Sequence, residues 1–215
     1  MNLLFSLFDF IVHIDEHLRN IIAQYGVLTY GILFLIIFCE TGLVVTPFLP
    51  GDSLLFAAGT FAALGSLQVD ILIVLLTLAA IVGDAVNFSV GHFIGPKAFN
   101  RGGYILKREY LDRTRAFYDR HGGKTIIIAR FVPIVRTFAP FIAGVGGMPY
   151  WKFALYNVMG AVLWVVPLTL GGYLFGNIPV IQENFEVVIF AIITVSLMPI
   201  VLEWLKHWRH GRREG

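Results

Sequence analysis

The sequence predicts an all-α polytopic membrane protein with about four transmembrane helices. Two oppositely facing re-entrant hairpins, related by an inverted repeat, and amphipathic interfacial helices complete the expected fold. Three observations carry this reading. Hydrophobic residues make up 57% of 215 residues and charged ones only 14%, with a mean hydropathy of +0.77, far too apolar for an ordinary soluble domain. Two proline-broken apolar stretches carry charge where a spanning helix would carry none. The basic residues, finally, are distributed very unevenly, although the net charge is only +2. That balance gives no basis for a nucleic-acid partner.

A single membrane domain accounts for the chain. Residues 1–20 contain an expected interfacial helix over 3–20, because Asp9, His13, Asp15, Glu16 and Arg19 interrupt its apolar run. No basic segment precedes that run, so it does not read as a cleaved signal peptide. Residues 25–45, 71–95, 152–175 and 186–205 each approach the ~20 apolar residues that a bilayer core requires. The first half, 25–95, includes the stretch 46–65 with Pro47, Pro50 and Gly51; the second, 125–176, includes 125–147 with Pro133, Pro140 and Gly144. Broken backbone at membrane depth is tolerated where protein covers it or a wet cavity runs beside it, so both stretches read as hairpins. The alternative is two kinked spanning helices.

Charge counting separates these alternatives. With two hairpins, Arg19, the segment Lys97 to Lys124, Lys152 and the tail 206–215 share one face, which collects fourteen of the sixteen Lys and Arg residues. Arg130 and Arg136 stay in the membrane, and Asp70, Glu183 and Glu186 take the other face. The positive-inside rule then makes the basic face cytoplasmic, with both termini inside. The two halves also echo each other. Phe48-Leu-Pro50, Ala58-Gly59 and Gly91-His-Phe-Ile-Gly95 correspond to Phe131-Val-Pro133, Ala143-Gly144 and Gly172-Tyr-Leu-Phe-Gly176. An inverted repeat of this kind places its binding site where the halves meet. The Gly-x-x-x-Gly pairs read as helix-packing sites.

Residues 96–124 form a basic cytoplasmic insert. Tyr110, Leu111, Thr114, Phe117 and Tyr118 are spaced as one face of a helix over about 109–121, on the inner leaflet near anionic headgroups or as a solvated loop that only fixes topology. Five strong charges fall at expected membrane depth: Glu40, Asp52, Asp84, Arg130 and Arg136. Their formal sum is −1, which favours a proton on one carboxyl, and a further proton when an anionic headgroup arrives. The two arginines call for a buried anionic partner, either these carboxylates or a ligand phosphate. Salt bridges that merely pin the hairpins would satisfy the same residues. Asp84 reads equally as a third proton carrier or as a hydrogen-bonding partner of Asn87 or a hairpin.

No enzyme signature is present: there is no Gly-x-Ser-x-Gly, no His-Glu-x-x-His and no phosphate loop. His13 with His17 and His207 with His210 lack companion ligands, and Cys39 stands alone as the one cysteine. Neither a metal nor a cofactor is expected.

Glu40-Thr-Gly42, Phe48-Leu-Pro-Gly-Asp52-Ser-Leu-Leu55, Gly83-Asp84, His121-Gly-Gly-Lys124 and Ala129-Arg-Phe-Val-Pro-Ile-Val-Arg-Thr-Phe-Ala-Pro-Phe-Ile-Ala-Gly144 closely resemble the bacterial DedA family. The likeness covers nearly the whole chain and extends to a superfamily that includes eukaryotic lipid scramblases. It implies a bacterial inner-membrane lipid transporter, a flippase for undecaprenyl phosphate linked to the proton motive force, or a scramblase for phosphatidylethanolamine or phospholipids broadly. The family's essential acids map onto Glu40 and Asp52 and its essential arginines onto Arg130 and Arg136; Asp84 stands where some relatives differ. On this resemblance Arg130 and Arg136 hold the substrate phosphate, while Glu40 and Asp52, with Asp84 beside them, couple movement to protons. The expected partners are membrane lipids and protons, and a homo-oligomer is left open. A non-transporting membrane assembly factor is the reading from a different class.

Overall fold

The computed structural model describes residues 14–43, 51–100 and 122–179, together with 181, 187–188, 191–192 and 194. Its elements are α1 (Ile14–Tyr25), α2 (Leu28–Gly42), α3 (Gly51–Ala63), α4 (Val69–Asn100), α5 (Lys124–Ala129), α6 (Pro133–Val145) and α7 (Tyr150–Phe175), with no strand among the described residues. Apolar stretches of 26 residues in α4 and in α7 are long enough to cross a membrane, about 39 Å each at the helical rise. On α4 the exposed stripe is Ile71, Val74, Leu78, Val82, Val86 and Val90. An outward face that apolar, opposite an equally apolar inward face, suits lipid rather than water.

The contacts fix the direction of every helix. The Tyr30 hydroxyl accepts from the Gln68 N–H at 2.7 Å, and Thr41 and Gly42 lie against Gly83. Hence α2 runs parallel to α4 and stops about halfway up it. The Gly51 N–H donates to Glu40 Oε1 at 3.2 Å, so α3 starts beside the end of α2 and returns to where α2 began. The second half repeats this with the direction reversed. Gly123 lies against Tyr156, and Gly160 beside Ile127 and Arg130, so α5 runs parallel to α7 and stops partway along it; α6 then returns. The spans themselves are antiparallel, since Asn157 donates to the Ile81 carbonyl at 3.0 Å while Phe88 stacks on Phe153 at 4.3 Å.

Each returning arm packs on the span of the other half, α3 on α7 and α6 on α4. Glycines make this exchange possible. A Cβ on Gly59 would overlap the Thr169 carbonyl oxygen and one on Gly172 that of Phe56; Gly144 meets the Phe88 oxygen and Gly91 that of Phe141 in the same reciprocal way. Small residues of this kind let helix backbones approach where apolar burial alone gives little drive. The arms also end alike. Gly65 at φ 79° and Gly147 at φ 73° each close a six-residue cap, with Ser66 N–H to Phe61 O at 3.0 Å and Met148 N–H to Ala143 O at 3.1 Å. The left-handed conformation explains the glycine at both places.

The helices depart from the sequence expectations in several bounds and positions. Of the expected span 25–45, α2 occupies Leu28–Gly42, a 15-residue apolar helix, and α3 starts beside its end and runs back along it. Arg19, seven residues before Gly26, lies within about 10 Å of the α1–α2 junction by helical rise. It therefore belongs to the end of the bundle that holds Gln68, opposite Lys124 and Lys152, and the cytoplasmic N-terminus that rested on it loses its support. The first helix continues to Tyr25, past residue 20, and buries Leu18 in the core. Finally, α4 runs through Asn100, past the expected boundary at 95. Residues 1–13, the 109–121 helix and the tail 206–215 lie outside the described residues, and of 186–205 only 187, 188, 191, 192 and 194 are described, all helical.

Gly91→Ala and Gly172→Ala are each expected to lower stability by about 1–3 kcal/mol through overpacking, measured by thermal unfolding in detergent. Gly31→Ala, which meets open space, serves as the silent control.

Candidate functional site

The end of α2, the start of α3 and the break between α5 and α6 meet between α4 and α7. From the first hairpin come Glu40, in the last turn of α2, and Asp52, in the first turn of α3. A Cβ on Gly51 would meet the Glu40 carboxylate, the movable end of a side chain that accepts the Gly51 N–H. From the second hairpin come both arginines, on either side of the break at 130–132. That break leaves few polar groups bare. Arg130, Phe131 and Val132 donate their N–H groups back three residues at 3.3, 3.1 and 3.0 Å, and Pro133, which has no N–H, opens α6.

Arg136 joins the hairpins: its Nη1 donates to Asp52 Oδ1 at 2.8 Å and its Nη2 to Glu40 Oε1. Arg130 instead ties the second tip to the spans, with Nη2 donating to Asp84 Oδ2 in α4 and to Asn157 Oδ1 in α7, the latter at 2.6 Å. Trp164 of α7 lies beneath both, its ring centroid 4.8 Å from Arg136 Cζ and 5.8 Å from Arg130 Cζ, and its Nε1 donates to Asp52 Oδ1 at 2.8 Å. Asn87 of α4 fastens the two hairpins to one another, donating to the carbonyls of Thr41 at 3.1 Å and Thr137 at 2.7 Å.

Every side chain of this centre is buried except that of Asp52, which keeps 18% exposure beside 0% for Glu40. Several bonding sites are unused. Glu40 Oε2, Arg130 Nη1, Arg136 Nε and Asn87 Oδ1 have no hydrogen-bond partner among the described residues. A cavity bounded by Thr41, Asp84, Ile126, Arg130, Arg136, Pro140 and Trp164 adjoins them, with room for about one water molecule. As it stands, the centre is closed around its own ion pairs, with two guanidinium nitrogens, Arg130 Nη1 and Arg136 Nε, unbonded among the described residues.

The structure thus brings together all five charges named from the sequence, in two linked clusters. Asp84 faces Arg130 and not Asn87. Gly144 and Pro140 sit on α6 as packing and cavity residues, while Pro47 and Pro50 lie outside the described residues. Sequence reasoning passed over Asn157 and Trp164. An amide and an indole inside an apolar span were the available signal, but only ionisable groups had been counted.

Comparison with protein-family models matches the VTT domain over residues 49–174. The chain is 58% identical over 216 residues to Protein DedA of Escherichia coli strain K12, covering 99% of both. The chain belongs to the DedA family. It is also 39% identical over 180 residues to a membrane protein of Mycobacterium leprae strain TN, covering 83% of this chain and 78% of that one. Against the inner membrane protein YqjA of E. coli strain K12 it is 36% identical over 174 residues, covering 80% and 78%. No solved structure matches. With these relatives and its apolar outward faces, this DedA-family chain is a membrane protein.

Removing Arg136 leaves Glu40 and Asp52 without the guanidinium that joins them. Arg136→Met is expected to cost about 3–5 kcal/mol, and adding Glu40→Gln to recover part of that loss, as read from unfolding midpoints in the same detergent.

Proposed function

We propose that this chain is a lipid transporter that passes a phosphate-bearing headgroup, most favourably that of undecaprenyl phosphate, between leaflets at the meeting point of two re-entrant hairpins. The observation that carries the reading is Arg136 held between Glu40 and Asp52 at mid-depth, with unused guanidinium N–H groups beside it. Charges that deep in a membrane are by default functional. Family membership supports a membrane role of this kind.

In this mechanism a phosphate competes with the carboxylates for the two guanidiniums, which bind oxyanions through paired, charge-assisted bonds. The resting centre sums to −1, so an entering anion is accommodated when Glu40 or Asp52 takes up a proton. Asp52, the most exposed of the centre, is the first acid an entering headgroup meets. Lysine offers a single point charge in place of the planar fork, so Arg130→Lys and Arg136→Lys fold but lose transport. The check is reconstitution in vesicles of defined lipids, with leaflet distribution read with and without a pH gradient. A folded wild-type protein that moves no phosphate-bearing lipid returns the case to the assembly-factor reading.

Proton uptake on binding has a fixed sign. The lipid-bound centre holds more protons than the empty one, so affinity falls as pH rises. A phosphodiester lipid is the probe to use, because a monoester itself titrates near pH ~6. Glu40→Gln or Asp52→Asn is expected to flatten the dependence; a flat wild-type profile refutes proton coupling here.

We also propose that the basic face is cytoplasmic, so that the second hairpin enters from the cytoplasm and the first from outside. If residues 186–205 cross once more, thirteen of the sixteen Lys and Arg residues fall inside, Arg19 falls outside, and two lie between. In a Cys39→Ser background, Val27→Cys and Ser66→Cys are expected to react with an impermeant maleimide from outside and Lys124→Cys to stay protected. Labelling of Lys124→Cys alone would invert the orientation.

A further inference from the structure

Trp164 touches three of the five charged groups of the centre, Asp52, Arg130 and Arg136. It is buried in the middle of α7, both guanidinium carbons lie within 6 Å of its ring centroid, and its one N–H is spent on Asp52. A tryptophan placed only to fill space would need none of these contacts. The ring face carries the negative end of its quadrupole and attracts cations, most strongly where water is excluded.

The two guanidiniums have like charge and share one ring. In the closed centre Glu40, Asp52 and Asp84 offset their repulsion. When a phosphate displaces carboxylates, fewer anions remain to do so, and the indole is the one neighbour here that attracts both arginines without competing for their N–H groups. We infer that Trp164 is a positioning residue for the phosphate, holding Arg130 and Arg136 at the spacing that lets both engage a single headgroup. The inference rests on the proposed phosphate site and adds the group that sets its geometry.

The test uses the full chain in nanodiscs at fixed pH, with a short-chain polyprenyl phosphate and the matching polyprenol as probes. With Trp151, Trp204 and Trp208 replaced by Phe, mono-, di- and trifluorotryptophan are incorporated at position 164. Fluorine draws electron density from the ring face, scarcely changes its shape and makes the N–H a better donor. Affinity for the polyprenyl phosphate is expected to fall stepwise along the series, by on the order of tenfold in total, while polyprenol binding stays constant. Trp164→Phe, which keeps a smaller face and loses the N–H, should fall between wild type and Trp164→Leu.

A flat series overturns the inference, as does a folded Trp164→Leu that binds like wild type. An affinity that rises with fluorination would assign the effect to the Asp52 hydrogen bond and overturn it as well. Wild type binding both probes equally would overturn the phosphate site itself, a result distinct from failure of Trp164 alone.

Discussion

Arg136 is where the two halves of the molecule become one object. Its two terminal nitrogens reach Glu40 and Asp52, which stand on opposite arms of the first hairpin, while the arginine itself belongs to the second. In water such pairs would contribute little, but in a buried site each ion is costly unless partnered. The rest of the architecture follows from that constraint. Helix ends bring the charges together, and a second cluster around Arg130 ties the break between α5 and α6 to both α4 and α7.

The exchange of arms serves the same end. Had each hairpin packed only on its own span, the halves would be separable and their tips exposed to lipid, where unpaired backbone groups are untenable. Laying α3 on α7 and α6 on α4 packs each half against the other. Reciprocal glycine–carbonyl contacts, Gly59 with Gly172 and Gly144 with Gly91, hold the helices too close for any larger side chain. The same cap at Gly65 and Gly147 turns each arm into its span. Two inverted copies of one unit thus enclose a centre that neither could form alone.

That centre is closed and self-neutralising to within one charge, which bears on how an anion would use it. On the proposed function a phosphate would compete with these carboxylates for the guanidiniums, beside the unbonded Arg130 Nη1 and Arg136 Nε. Asn87, bonded to a carbonyl on each hairpin, means that the hairpins cannot separate without breaking its bonds. Asn157 and Trp164 sit on α7, so Arg130 and Asp52 are each bonded to that helix as well as within the centre.

The sequence by itself determined the membrane class and the five charges of the centre, because each is written in local composition. Arg130 and Arg136 stand out in any apolar window, and matched glycines recur at nearly constant offset. Only the tertiary structure decided that α2 lies parallel to α4, since apolar composition carries no direction and it takes the Gln68–Tyr30 hydrogen bond and the Gly42–Gly83 contact together to fix it. Arg19 changes ends of the bundle for the same reason. Which acid meets which arginine was equally hidden: Asp84 lies three residues from Asn87 in sequence, yet it pairs with Arg130 across the bundle. Pairing depends on helix rotation and on contacts between residues far apart in the chain, and neither leaves a trace in local composition.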